Sequence, residues 1–268
     1  MPEFDQTVFS QIPNLRLKSN AQSASQRDQE ITDEWLKFTR VNKKNKFFGF
    51  LFYDSVHNYD VPAGYPIKFE PYLDVINYFL LNNEYDPTAF FNRYKTSLNY
   101  VDSLIKNVIE DLKQNRLLDK TIILITSDHG EEFNDNKQNY WGHNSNFSKA
   151  QTQVPLIIHW PNSIRKDLNY SHRTSHYDIS ATLLSELASC SGEEILKLST
   201  GKNLFSKQPS KYIIQGTSGN WALLTDSQIL RINPSGKFEV LDLKYHSIEN
   251  ENFNFDEVIN ELKVLDEF

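Results

Sequence analysis

Asp128, His129 and Gly130 follow the apolar run TIILIT after a single residue, Ser127, and this is where the sequence is chemically sharpest. A carboxylate and an imidazole side by side offer oxygen and nitrogen donors of the kind that hold Zn²⁺ or Mn²⁺. Gly130 lets the backbone turn sharply beside such a pair. A strand-end turn carrying a solvated Asp and His is the bland alternative. Thirteen positions beyond Gly130, in Trp141-Gly142-His143-Asn144-Ser145-Asn146, a second histidine sits beside a glycine in a polar loop. Such a histidine can approach a bound anion and donate a hydrogen bond to it. His57, within DSVHNYD, is a third candidate; its alternative is a polar loop residue. His176 in SHYDIS reads as a helix-cap or structural histidine, and His159, His172 and His246 as structural or solvated. Glu131 and Glu132 either support the metal ligands or are a solvated pair, and Lys149 reads as a surface lysine.

These residues need elements to position them. Thr121–Thr126 is continuous, apolar and β-branched, which predicts a strand buried on both faces. Val154–His159 (VPLIIH) predicts another, and so does Lys46–Tyr53 (KFFGFLFY), whose exit loop Asp54–Pro71 carries His57. Strands of this type alternating with helices indicate a parallel sheet covered by helices, and ligands bind such sheets at the carboxyl ends of the strands. Asp33–Val41 reads as a short helix. Thr88–Leu118 is the clearest one, with Phe91, Tyr94, Leu98, Val101, Ile105, Val108 and Leu112 on one stripe and Asp86-Pro87 as its start signal. Asp178–Ala188 is a further helix. The tail changes character: Lys211–Gln215, Ala222–Thr225, Ile229–Ile232 and Phe238–Leu243 are short, separated by turn signals such as Asn233-Pro234-Ser235-Gly236, and predict an antiparallel meander. A closing amphipathic helix is expected over Phe255–Phe268. The expected fold class is therefore α/β, a partly parallel sheet with helices on both faces plus a C-terminal antiparallel meander and helix. The expected organisation is a polar lead-in over 1–45, a core over 46–205 and an antiparallel subdomain over 206–268.

Composition bounds the function. The 268 residues, 39% hydrophobic and 13% aromatic, are enough to bury an ordinary core. A formal net charge of -7 speaks against broad nucleic-acid binding, which needs a basic surface. One cysteine, Cys190, excludes a disulfide within the chain and a thiolate zinc cluster. No apolar run reaches the length of a membrane span, and the start MPEFDQTVFSQIPNL has neither the basic nor the apolar region of a signal peptide.

Taken in order, SDHGEEF, WGHNSNF and QVPLIIHWP resemble the sulfatase/alkaline-phosphatase superfamily. Within it, the chain is similar to the periplasmic domain of the YejM (PbgA)-like inner-membrane proteins. FFNRYKTSLNYVDSLI ahead of the strand and KFEVLDLKYHSIENENFN in the tail fit the same resemblance. The resemblance implies that Asp128 and His129 are metal ligands, that His57 and His143 contact the substrate, and that one or two divalent ions (Mn, Zn, Mg or Ca) are bound. It implies a phosphate or sulfate ester as substrate, a lipid headgroup among the candidates, and a location at the periplasmic face of the bacterial inner membrane.

The superfamily's chemistry also needs an acidic ligand at the end of the first strand and a Thr, Ser or modified Cys nucleophile at a helix start. No apolar strand ending in Asp or Glu precedes residue 46, Thr7 and Ser10 lack a strand-then-helix context, and Cys190 lacks the Pro and Arg pattern of a sulfatase site. Two expectations follow. In one, Met1 is internal to a longer protein whose other part holds membrane spans, the first strands and the nucleophile, and the domain is a hydrolase or phosphotransferase. In the other, the parent has lost its nucleophile and is a regulatory domain binding anionic lipid or lipopolysaccharide.

Overall fold

The computed structural model describes residues 19–161, 172–206, 210, 212–217, 219–249, 259 and 263. The chain divides into two compact units, the first drawn mainly from residues up to Ile123 and the second mainly from Leu124 onward.

The first unit is built on two helices, α1 (Ala24–Asn42) and α2 (Thr88–Gln114). Ser23 caps α1, its hydroxyl accepting from the Gln26 N–H. The helix begins nine residues ahead of the expected Asp33. Its buried face explains the difference: Ala24, Ser25, Asp28, Thr32 and Thr39 are small or polar, so no apolar stripe marks them. Their polar groups are satisfied internally. Asp28 accepts from the backbone N–H groups of Asp54 and Ser55, both at 2.8 Å, and Thr39 donates to Asp111 of α2 at 2.6 Å.

Asp86 starts α2 by accepting from the N–H and hydroxyl of Thr88. The buried face of α2 carries Phe90, Ser97, Val101, Leu104 and Leu112, whereas Phe91 and Leu98 of the expected stripe are exposed. Thr96 and Ser97 return their hydroxyls to carbonyls of their own helix and so pack as small residues. Tyr100, Val101 and Leu104 form a core cluster with Tyr53, Val56, Val61 and Tyr65 of the long loop.

KFFGFLFY departs from expectation. The structure forms no strand there, and Phe48 is 83% exposed, with Phe50 and Phe52 also exposed. Phe47 alone among its phenylalanines packs on α1 rings, edge-on to Trp35 and Phe38. An apolar run becomes a buried strand only where a neighbour supplies ladder partners and both faces are covered. Among the described residues no strand pairs with this run, and the helices cover one side of it, through Phe47 and Tyr53.

The described strands lie in the second unit, apart from the end residues Ile123 and His159. β1 (Ile123–Thr126) pairs with β4 (Leu156–His159), and β2 (Glu132–Phe133) with β3 (Trp141–Gly142) in an antiparallel hairpin. β1 is half-buried rather than buried on both faces, because β4 is its sole strand neighbour among the described residues. Short α3 (Lys149–Thr152) precedes β4. α4 (Tyr177–Ala188) follows, then α5 (Gly192–Leu196), which opens on a Ser191/Glu194 capping box.

The tail forms the expected meander: β5 (Ile213–Gly216), β6 (Trp221–Leu224), β7 (Gln228–Ile232) and β8 (Phe238–Asp242) are antiparallel neighbours in chain order. Register places Leu223 opposite Leu230 and Leu230 opposite Val240, a fully buried row across one face. The alternate residues Ala222, Ile229 and Leu241 line the other face, where they pack with Phe147 and Tyr245. Phe147 lies four residues beyond His143, so this face of the meander seats the loop that carries the second candidate histidine. The expected closing helix lies, apart from the helical Ile259 and Lys263, outside the described residues.

Candidate functional site

The end of β1 is held from two sides. Thr126 donates to the Pro155 carbonyl at 2.9 Å, and the Ser127 hydroxyl donates to the His129 carbonyl at 2.6 Å. Asp128, exposed, accepts from the His129 N–H. The His129 Nδ1 lies 2.9 Å from the Gly130 carbonyl, which can only accept, so Nδ1 carries the proton and Nε2 keeps its lone pair. That Nε2 is 3.7 Å from Oδ2 of Asp128. Two donors each about 2.1 Å from one tetrahedral ion lie about 3.4 Å apart, so the pair fits a shared divalent ion with little adjustment. A nitrogen-plus-carboxylate set suits Zn²⁺ or Mn²⁺ better than Mg²⁺ or Ca²⁺, which prefer oxygen alone.

Gly130 is required by contact. A Cβ there would lie 2.1 Å from the carbonyl oxygen of Ala150. Its N–H donates to the Gln151 carbonyl at 2.8 Å, pinning the turn to α3.

The β2–β3 hairpin brings the second histidine back. Glu132 pairs with Gly142 and Phe133 with Trp141, so Glu131 and His143 are the next positions outward on the two strands. Gly142, at φ +88, bends the chain just before His143. His143 Nδ1 is 2.9 Å from Oε2 of Glu131, whose side chain is almost fully buried. This hydrogen bond raises the His143 pKa. Partial burial opposes the rise, and the charges of Glu131 and Asp128 add to it. The imidazole is thereby biased toward its cationic form, a donor suited to an anionic oxygen. The rings of His129 and His143 stack, with centroids 4.2 Å apart and planes at 24°, and a nitrogen of each lies within 4.8 Å of one on the other. The structure thus joins Asp128, His129, Glu131 and His143, residues up to 15 positions apart in sequence.

His57 belongs to the first unit, exposed in the turn over residues 55–59. Asp28 fixes the start of that turn through the two backbone bonds already described, and burial raises its carboxyl pKa against the Ser55 and backbone hydrogen bonds that lower it.

Other residues take roles that the sequence reading did not assign. His176 stands at the N-cap position of α4 but makes no cap bond; its Nε2 donates to the Ser127 carbonyl at 2.8 Å, immediately before Asp128. Glu132 is 1% exposed and accepts three side-chain bonds, so it is not one of a solvated pair. Sequence spacing carries no signal for a contact across 49 residues such as that of His176. A glutamate placed immediately before a phenylalanine in a two-residue strand is a weak signal for burial. His159 bonds the Leu118 carbonyl, His246 pairs with Asp242, His172 is half-buried, and Lys149 is exposed at the start of α3.

Comparison with known proteins meets this geometry from outside. A family model described as sulfatase matches residues 3–188. The inner membrane protein YejM of Salmonella typhimurium is 25% identical over 163 residues, 60% of this chain and 26% of that protein. The chain therefore spans about a quarter of that relative's length. A Vibrio parahaemolyticus protein of the alkaline phosphatase superfamily superimposes with a TM-score of 0.57 at 19% identity, covering 88% of this chain and 52% of that one. The phosphonate monoester hydrolase of Agrobacterium radiobacter does so with a TM-score of 0.58 at 14% identity, covering 92% and 61%. The fold is alkaline-phosphatase-like, and with the family model spanning more than half of its residues the chain belongs to the sulfatase family.

Proposed function

We propose that this chain forms part of a metal-dependent hydrolase or phosphotransferase domain acting on phosphate or sulfate esters. The observation that carries the reading is the stacked pair His129–His143, with Asp128 beside one ring and buried Glu131 bonded to the other. Asp128 and His129 would hold the divalent ion, one of one or two. Once bound, it supplies Lewis acidity and neutralises charge on the transferring group. His143, kept toward the imidazolium by Glu131, donates from Nε2 to a non-bridging oxygen of the ester. His57 is a substrate-binding residue by resemblance alone. The relation to an inner membrane protein supports a place at the periplasmic face of that membrane.

The test is calorimetric titration of the chain with Zn²⁺ and Mn²⁺, beside Asp128→Ala and His129→Ala. One bound ion is expected to disappear in each variant. Unchanged stoichiometry in both would remove the metal reading.

A second reading, a non-catalytic domain that binds anionic lipid or lipopolysaccharide, is favoured by a different observation. In the first unit Val75 is 77% exposed and Phe79 fully exposed, with Tyr78 and Leu80 exposed between and beside them. Such an apolar display fits contact with lipid. Vesicle binding that survives Asp128→Ala and is lost in Phe79→Ser would support this reading; binding lost in Asp128→Ala would tie lipid to the metal site.

A further inference from the structure

We propose that Glu132 is the positioning residue that sets the spacing of the His129–His143 pair. This deepens the ester-site reading, since that reading gives the pair its work. A buried carboxylate is costly unless donors converge on it. Here all three donors meet one oxygen: Asn146 Nδ2 at 2.7 Å, Ser148 Oγ at 3.0 Å and Gln151 Nε2 at 2.7 Å reach Oε2. All three come from the segment that follows His143. Glu132 itself follows His129 by three residues and opens β2 directly after Glu131. One oxygen therefore ties the segment behind one histidine to the strand behind the other.

The tie is reinforced around it. The Gln151 side-chain oxygen accepts from the N–H groups of Ser145 and Asn146, and its backbone carbonyl takes the Gly130 N–H. Asn146 in turn accepts from the Ser148 N–H at 2.7 Å. Glu132 lies outside hydrogen-bond contact with either histidine. It acts by holding Gln151, through which the Gly130 turn and the 143–151 segment share a partner.

The test reads the imidazoles of the whole chain without metal or substrate, so it can fail while the ester reading stands. In ¹⁵N-labelled protein, long-range ¹H–¹⁵N spectra report the tautomer of each ring, and a ring–ring NOE reports the stack. Glu132→Gln keeps the shape but presents an amide N–H₂ or a weaker acceptor to three donors. It is expected to shift the His129 and His143 nitrogens and abolish their NOE, with His159 and His246 unmoved and cooperative thermal unfolding retained at a lowered midpoint. Mn²⁺ affinity is expected to fall about tenfold, the usual scale for groups supporting metal ligands. Folded Glu132→Gln with unmoved His129 and His143 signals overturns the proposal. Should that variant not fold, Ser148→Ala, which removes one donor, must move the same two rings, and unmoved rings there overturn it equally. A chain that binds no metal, yet whose pair moves in Glu132→Gln, sinks the ester reading and upholds the positioning role.

Discussion

Replacing Gly130 by alanine tests the geometry of the site at its tightest contact. The new Cβ would sit 2.1 Å from the Ala150 carbonyl oxygen and 3.1 Å from its carbon, and both are backbone atoms that no side-chain rotation can move away. Reaching ordinary contact requires the turn and α3 to separate by more than about 1 Å, and overpacking of this kind costs about 1–3 kcal/mol. The same separation breaks the 2.8 Å bond from the Gly130 N–H to Gln151, worth about 0.5–1.5 kcal/mol. Together these give about 2–4 kcal/mol, which for a chain of this size lowers the melting temperature by roughly 5–15 °C. Gly192 is the control, because it opens α5 with nothing within 4 Å of a built Cβ. Alanine there should be neutral or should stabilise by up to about 1 kcal/mol. Circular dichroism melts of the two variants decide the matter. A Gly130→Ala midpoint within about 1 °C of the parent, or a Gly192→Ala loss as large as that at Gly130, would refute the packing argument.

Three further outcomes are expected. Leu223→Ala, at the centre of the fully buried meander row, should cost about 2–5 kcal/mol by urea unfolding; a loss below about 1 kcal/mol would show that the row is not packed as described. Thr39→Val removes the 2.6 Å bond to buried Asp111 while keeping the shape of the side chain; it should cost about 1–3 kcal/mol, and a neutral result would mean that Asp111 is satisfied without it. Asp242 titrates below its ordinary value: burial pushes it up, but the His246 and Lys244 N–H groups and the His246 ring outweigh that. Because its folded pKa lies below its unfolded one, its contribution is complete above about pH 4 and is lost as pH falls through the folded value. Acid titration followed at the β8 amides should therefore show weakening below about pH 4 that is absent in Asp242→Asn, and identical profiles would contradict the linkage.

The chemical motifs were legible because they are local. Asp128 and His129 are adjacent, and His143 returns to them through a hairpin of short span, so sequence order nearly is spatial order. The meander was legible for a similar reason, since each strand pairs with its chain neighbour and alternation exposes its two faces. What escaped was carried by polar residues or distant partners. The early turns of α1 bury Ser25, Asp28 and Thr32, which no hydrophobic period reveals. KFFGFLFY has the composition of a buried strand, but burial is a property of the neighbours, and Phe48, Phe50 and Phe52 face outward. On α2 the apolar residues outnumber the positions that face the core, so Phe91 and Leu98 look like stripe members but lie on the exposed side. Glu132 and His176 act through contacts that exist only after the chain has folded back on itself.

The seating of Phe147 against the meander has a consequence for synthesis. Its pocket is assembled from Ala222, Ile229 and Leu241 on three different strands. Leu241 is made about 90 residues after Phe147, so at about 5–20 residues per second the nascent loop bearing His143 waits roughly 5–20 s for its apolar anchor. Throughout that interval the loop has the hairpin and the bonds of its own segment to Glu132 and Gly130, but not the apolar face that covers Phe147. The loop that carries His143 is therefore packed from its far side, by strands made well after the residues they cover.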